Sequence, residues 1–203
     1  MLSQAERDRI AAAIAAAERG TSGEIVVLVA GRAGAYRSVA LALALLCGLA
    51  VPWPLILATE WSAGWIAVAQ ALAVLGVLAA TLHPRARAAI VPRALKRARA
   101  HDAALREFAA RGVTRTRART GILIYLAVAE GHAEIVADHA VVARVPRESW
   151  SAAIEALLSG LRRGDAAGGL IAAVERAGAI LASEFPGEPD DVDELPNRVI
   201  VTD

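Results

Sequence analysis

The sequence has 203 residues, with 22 basic and 21 acidic side chains for a formal net charge of +1, and 56% of it is apolar. The single cysteine, Cys47, excludes a disulfide scaffold and a cysteine-rich metal site. No recognition motif or basic–aromatic interleaving supports a nucleic-acid partner, so none is expected.

The opening segment MLSQAERDRI is charged early and has no apolar core, so no cleavable leader is expected. Ser3 and Glu6 stand at capping-box spacing and predict a helix with Ile10, Ala13, Ile14 and Ala17 inward, stopped at Gly20. Thr21-Ser22-Gly23 reads as a tight turn before Glu24. The β-branched run Ile25–Ala30 does not alternate, which suits a strand covered on both faces.

Ser38 to Pro84 carries one formal charge, Glu60. Ser38–Ala58 (21 residues) and Trp61–Leu82 (22 residues) are each long enough to cross a bilayer core of about 20 helical residues. Neither has a polar face, unlike a helix on a soluble core. Trp53, Trp61 and Trp65 cluster near the turn, where an interfacial belt would lie, and Pro52 and Pro54 interrupt the first block. The expected element is a transmembrane helical hairpin over 38–84. It divides a cytoplasmic domain formed by 1–37 and 85–203. Arg32 and Arg37 precede it, Arg85, Arg87, Arg93, Lys96, Arg97 and Arg99 follow it, and the turn holds only Glu60. The positive-inside bias therefore places both termini in the cytoplasm. Residues 84–119 hold 11 basic and 2 acidic side chains, against 6 and 14 in 120–203. The basic stretch, Arg85–Arg99 above all, points to a lipid bilayer with anionic headgroups as partner.

Beyond the hairpin, Pro92 opens a predicted helix with Ala94, Ala98, His101, Leu105 and Phe108 on one stripe, ended by Gly112. His101 reads as a packed histidine. Val113–Thr120 is a basic loop whose Arg115, Arg117 and Arg119 suit either a phosphate or a solvated, membrane-adjacent face. Gly121–Ala129 and Ala133–Asp138 predict an antiparallel strand pair about a turn at Glu130-Gly131-His132, with Glu130 and His132 solvated. A helix from Pro146 should bury Trp150, Ile154, Leu157, Leu158 and Leu161. A last helix, capped by Asp165 and closed by Pro186, should bury Leu170, Ile171, Val174, Leu181 and Phe185. An acidic tail then ends in a short strand, Val199–Val201. Interleaved helices and strands of this kind predict an α/β class domain, a compact α/β/α sandwich with a mixed sheet, interrupted by the hairpin.

Carboxylates are the ligands that suit Ca²⁺ or Mg²⁺. Glu24 is a candidate ligand or a turn organiser. Asp138, at a strand end beside His139, is a candidate ligand or a cap. Asp190, Asp191 and Asp193 form the densest oxygen cluster, a loose clasp or a solvated linker that lacks the glycine and distant glutamate of an EF-hand. Catalytic use of a cation requires at least two of these five to converge in one concave pocket. No nucleophile elbow, phosphate loop or metalloprotease motif is present, so a catalytic role is not the leading expectation.

The segments LSQAERDRI, TSGEIVVLV, EFAARGVTRTRARTGILIYLAVAE, HAEIVADHAV and GGLIAAVERAGAILASEFP together resemble the TPM domain family. The likeness is strongest at TSGEIV and RTGILIYLAVAE, and it extends to a bacterial membrane branch with an internal apolar insertion and a segment like ELPNRVI. The resemblance implies a compact α/β/α sandwich, divalent-cation binding, weak phosphatase activity and assistance to membrane complexes. The expectation is thus a bacterial inner-membrane protein whose TPM-like domain binds or assembles an unidentified membrane protein partner. The alternative is a weak divalent-cation-dependent phosphatase using Asp138.

Overall fold

The structure, a computed structural model, describes residues 2–34, 36–83, 86, 89–187 and 194–202. Its elements in chain order are α1 (Gln4–Glu18), β1 (Ile25–Ala30), α2 (Arg37–Ala50), α3 (Pro52–Ala58), α4 (Ala63–Leu82), α5 (Arg93–Ala110), β2 (Ile122–Ala127), β3 (His132–Ala137), α6 (His139–Arg144), α7 (Ser151–Arg162), α8 (Ala166–Glu184) and β4 (Val199–Thr202). The chain divides into two compact units: Met1–Ala33 with Arg97–Asp203, and Gly34–Lys96.

The first unit is an α/β sandwich about a four-stranded sheet of order β3-β2-β1-β4. β1 runs parallel to β2 and to β4, and β2 pairs antiparallel with β3, so the sheet is mixed as expected. Every residue of β1 and β2 is buried, whereas β3 and β4 at the edges are mostly half-buried. The residue types follow that placement. Central strands covered on both faces are continuous apolar runs, and the edges tolerate His132, Glu134 and Thr202.

The pleat sends alternate side chains to two separate cores. Ile25, Val27, Val29, Ile122, Ile124 and Leu126 pack with Ile10 and Ile14 of α1, Leu157 of α7, and Leu170, Val174 and Leu181 of α8. Val26, Leu28, Leu123 and Tyr125 pack on the opposite face with Ala100, Ala103, Ala104 and Phe108 of α5 and with Val113. The capping box forms: the Ser3 hydroxyl accepts from the Glu6 amide at 3.3 Å and the Glu6 carboxylate accepts from the Ser3 amide at 2.7 Å. Asp165 caps α8 by accepting from the Gly168 amide at 2.8 Å.

Three expectations need correction. The buried stripe of α5 is Ala100, Ala103, Ala104 and Phe108, and Leu105 is 44% exposed. The phase is shifted because alanines recur on several faces of this helix, and the small ones fit closest to the sheet. The helix expected from Pro146 begins as a 3-10 turn, Arg147–Trp150, before α7. A short helix, α6, follows β3; the expected element order omits it, while Asp138 as a cap agrees with it.

In the second unit α2 and α4 pack against one another. Ala40, Ala44 and Gly48 form the buried face of α2. A Cβ at Gly48 would lie 2.8 Å from Val74 Cγ2, so glycine permits the close approach. Val51 continues in helical geometry between α2 and α3, with Pro52 at the first position of α3, where no amide hydrogen is required. Arg37–Ala58 and Ala63–Leu82 are each long and apolar enough to cross a membrane, with mean hydropathies of 2.3 and 2.1. So is α8, at 1.3.

Candidate functional site

Three strand ends meet at one edge of the sheet. Since β1 and β2 are parallel and β3 returns antiparallel, the amino ends of β1 and β2 lie beside the carboxyl end of β3. The register carries one step past Ile25↔Ile122 and Ile122↔Ala137, and so sets Glu24, Gly121 and Asp138 in a row. The Ile122 amide donates to the Glu24 carbonyl at 2.8 Å, and the Asp138 amide donates to the Gly121 carbonyl at 2.9 Å. Gly121 sits where a Cβ would meet the Val113 carbonyl oxygen at 2.6 Å, so the loop before β2 packs directly on the backbone between the two acids.

Glu24 is 8% exposed, and its Oε1 accepts from the Glu194 amide at 2.9 Å. The Glu194 carboxylate in turn accepts from the Arg117 amide at 3.1 and 3.2 Å. These bonds tie the segment after the acidic tail and the basic loop to the start of β1. The preceding turn is closed by Thr21, whose hydroxyl donates to the Phe185 carbonyl at 2.6 Å and accepts from the Gly23 amide at 3.0 Å. The Thr120 hydroxyl donates to the Ser22 carbonyl at 2.7 Å.

Asp138 is 5% exposed. Its Oδ1 accepts from the His139 amide at 2.6 Å and caps α6, and its carbonyl accepts from the Val142 amide at 3.0 Å. Its Oδ2 is buried with no hydrogen-bond partner among the described residues, as is Thr116 Oγ1 in the loop before β2. A buried carboxylate oxygen without a donor is costly, and a cation or a water is the usual remedy.

Glu24 and Asp138 share an edge but flank the β2 position, two strand spacings apart, so their Cα atoms are about 10 Å apart. To share one ion both carboxylates would have to turn towards each other across Gly121, and Glu24 Oε1 is held by the Glu194 amide instead. Among the described residues no three His, Cys, Asp or Glu side chains are arranged to hold a metal ion. Asp190, Asp191 and Asp193 lie outside the described residues, as do Arg85 and Arg87 of the basic stretch. A groove of about 690 Å³ runs between α7 and α8, with Arg163, Arg176 and Glu155 along it, and includes neither Glu24 nor Asp138.

A second polar group forms on the α5 face of the sheet. His101 Nδ1 lies 3.0 Å from Glu134 Oε2, and His132 Nε2 lies 3.8 Å from the same oxygen. His101 is therefore paired rather than packed in apolar surroundings, and His132 Nε2 is buried rather than solvated. Burial raises the Glu134 pKa, but the nearby His132 and the hydrogen-bonded His101 outweigh it and hold the carboxyl below its usual value. Tyr125, opposite Glu134 on β2, is pushed up to about 12 by burial first and then by Glu130, Glu107 and Glu134. Glu130 is also engaged, accepting from the Ala33 amide at 3.1 Å. Sequence reading missed this group because His101 and Glu134 are 33 residues apart. The legible signal was His132-Ala133-Glu134, which strand alternation places on one face.

A mixed sheet between two helical layers, with acidic side chains gathered at one strand-end edge, defines a small α/β sandwich domain. The chain belongs to the TPM domain family, whose pattern matches residues 67–180, from within α4 into α8. No curated protein matches the sequence. Among solved structures, it is similar to the NMR structure of BA42 protein from the psychrophilic bacterium Bizionia argentinensis. The identity is 23% and the TM-score 0.62, over 99% of this chain and 95% of that one, a likeness that shows the fold alone.

Proposed function

We propose that this chain is a TPM domain anchored in a membrane by the α2–α4 hairpin. Both termini face the cytoplasm, and the domain acts as a binding or assembly module for a membrane protein complex. The observation that carries the reading is a contrast between helices of similar length. In α8, 44% of the apolar window is buried, and its composition is accounted for by packing on β1 and β2. In α4 the figure is 6%, and in Arg37–Ala58 it is 17%. Leu45, Leu49, Trp65, Leu72 and Leu75 are each more than half exposed. An apolar surface of that extent on two neighbouring helices needs lipid or protein over it. Arg32, Arg37, Arg93, Lys96, Arg97 and Arg99 flank the hairpin and Glu60 is its only acid, which supports the orientation.

Alkaline extraction followed by protease digestion of right-side-out and inverted vesicles tests both parts. The chain should stay with the membrane, and the TPM domain should be cut only in inverted vesicles. Release at alkaline pH, or digestion from outside, would overturn the anchor or the orientation respectively.

The orphaned Oδ2 of Asp138 favours a second reading, a Ca²⁺ or Mg²⁺ site at the Glu24–Asp138 edge. Its test is calcium titration of the full chain in detergent, with loss of the signal in Asp138→Asn. Cation-stimulated hydrolysis of a phosphate monoester that the same substitution abolishes would make phosphatase the better description.

A further inference from the structure

We propose that the groove between the first turns of α2 and the last turns of α4 binds one anionic phospholipid, with Arg37 holding its phosphate. The proposal rests on the membrane-anchored reading. The groove encloses about 260 Å³ and is lined by Arg37, Ala40, Leu41, Leu78, Thr81 and Leu82. It follows from the side-chain sizes on α2. Gly48 lets α2 come close to Val74 of α4, while at the Arg37 end small Ala40 lines the trough with Leu78 and Leu82. The Thr81 hydroxyl donates to the Leu78 carbonyl at 2.8 Å, so it leaves no free donor in the trough. The walls suit an acyl chain.

The mouth of the trough carries the positive charge of Arg37. α2 begins at Arg37, no side chain caps its first amides, and its first turn holds no acid. The amide-rich end of a helix is itself partly positive, so Arg37 and the helix terminus repel. The only acid in Gly34–Lys96 is Glu60, in the connection at the far end of the hairpin. Among the described residues no carboxylate forms an ion pair with Arg37. An anion relieves this repulsion, and the apolar trough beneath it selects one with an attached hydrocarbon chain. A zwitterionic lipid brings the same phosphate, but its quaternary ammonium would stand beside the guanidinium and the helix terminus.

The test uses the full chain purified in mild detergent, mixed with equal amounts of phosphatidylglycerol and phosphatidylcholine and weighed intact by native mass spectrometry. The expected result is one phosphatidylglycerol retained per chain in preference to phosphatidylcholine. Arg37→Gln should lower its retention about fivefold, the factor expected for one basic residue beside an anionic headgroup. Arg37→Lys should keep most of it. Leu41→Trp, a change at a residue 55% exposed, should block the trough and lower retention without disturbing the helix pair. Equal retention of the two lipids, indifference to Arg37→Gln, or displacement of the lipid by inorganic phosphate overturns the proposal. A chain that remains in the supernatant without detergent overturns the anchor and this site together. A membrane-extracted chain with no lipid preference overturns the site alone.

Discussion

Asp138 does two jobs that a substitution can separate. Asn keeps an oxygen for the His139 amide and loses the charge, whereas Ala loses both. Asp138→Ala should therefore lower the unfolding free energy by about 1 kcal/mol through the lost cap, and Asp138→Asn by much less. If a divalent cation sits at Oδ2, Ca²⁺ should raise the melting temperature of the native chain and leave that of Asp138→Asn unchanged. Thermal melts with and without the ion read both effects. Glu134 gives a pH signature. Its pKa is lowered from 4.5, so its contribution to stability is present above that value and is lost as pH falls through the lower folded value. The difference in stability between the native chain and Glu134→Gln should be present just above pH 4.5 and disappear in stronger acid, measured by urea titration across that range. Neither site was fully legible in the sequence. Glu24 and Asp138 stand out as acids at strand ends, but their placement on one edge depends on β2 pairing parallel to one neighbour and antiparallel to the other. That choice is made by contacts distant in the sequence.

At the scale of elements, local pattern was sufficient wherever one signal was strong. The β-branched run of β1, the capping box of α1 and the Asp165 cap of α8 all form where residue chemistry puts them. Pattern failed where side chains were too alike. In α5 alanine recurs on so many faces that periodicity could not set the phase, and the true inward face became evident only from its packing on Leu123 and Tyr125. The small stripe of α2 is a related case. Ala44 and Gly48 were visible as a pair of small residues, but only the α4 partner shows what they are small for. Gly48→Val adds a methyl-bearing Cβ 2.8 Å from Val74 Cγ2, and a β-branched neighbour has little freedom to turn away. Overpacking of this kind costs about 1–3 kcal/mol. The hairpin of Gly48→Val should melt at a lower temperature in detergent by circular dichroism, whereas Trp65→Ala, at a residue 66% exposed, should leave the melt unchanged.

At the scale of the whole molecule, hydropathy alone ranks three helices as able to cross a membrane, and burial separates them. α8 is apolar because the sheet and α1 enclose it; α4 is apolar on a surface that nothing within its own unit covers. The separation makes opposite forecasts for one kind of substitution. Val174 in α8 is fully buried, so Val174→Arg places an unpaired charge in the core and should prevent folding of the TPM domain. Leu72 lies near the middle of α4 and is 64% exposed. If water surrounds it, Leu72→Arg should change stability by no more than about 0.5 kcal/mol, the ordinary effect of a surface replacement. If hydrocarbon surrounds it, an arginine at the centre of a spanning helix costs about 2.5–3.5 kcal/mol on insertion. The expected outcome is a clear fall in the membrane-inserted fraction of Leu72→Arg, assayed by alkaline extraction, with the TPM domain still resistant to limited proteolysis. An arginine tolerated there with no change in fractionation would mean that lipid does not cover α4, and the anchoring role would pass to no other helix, since α8 is already enclosed by its own domain.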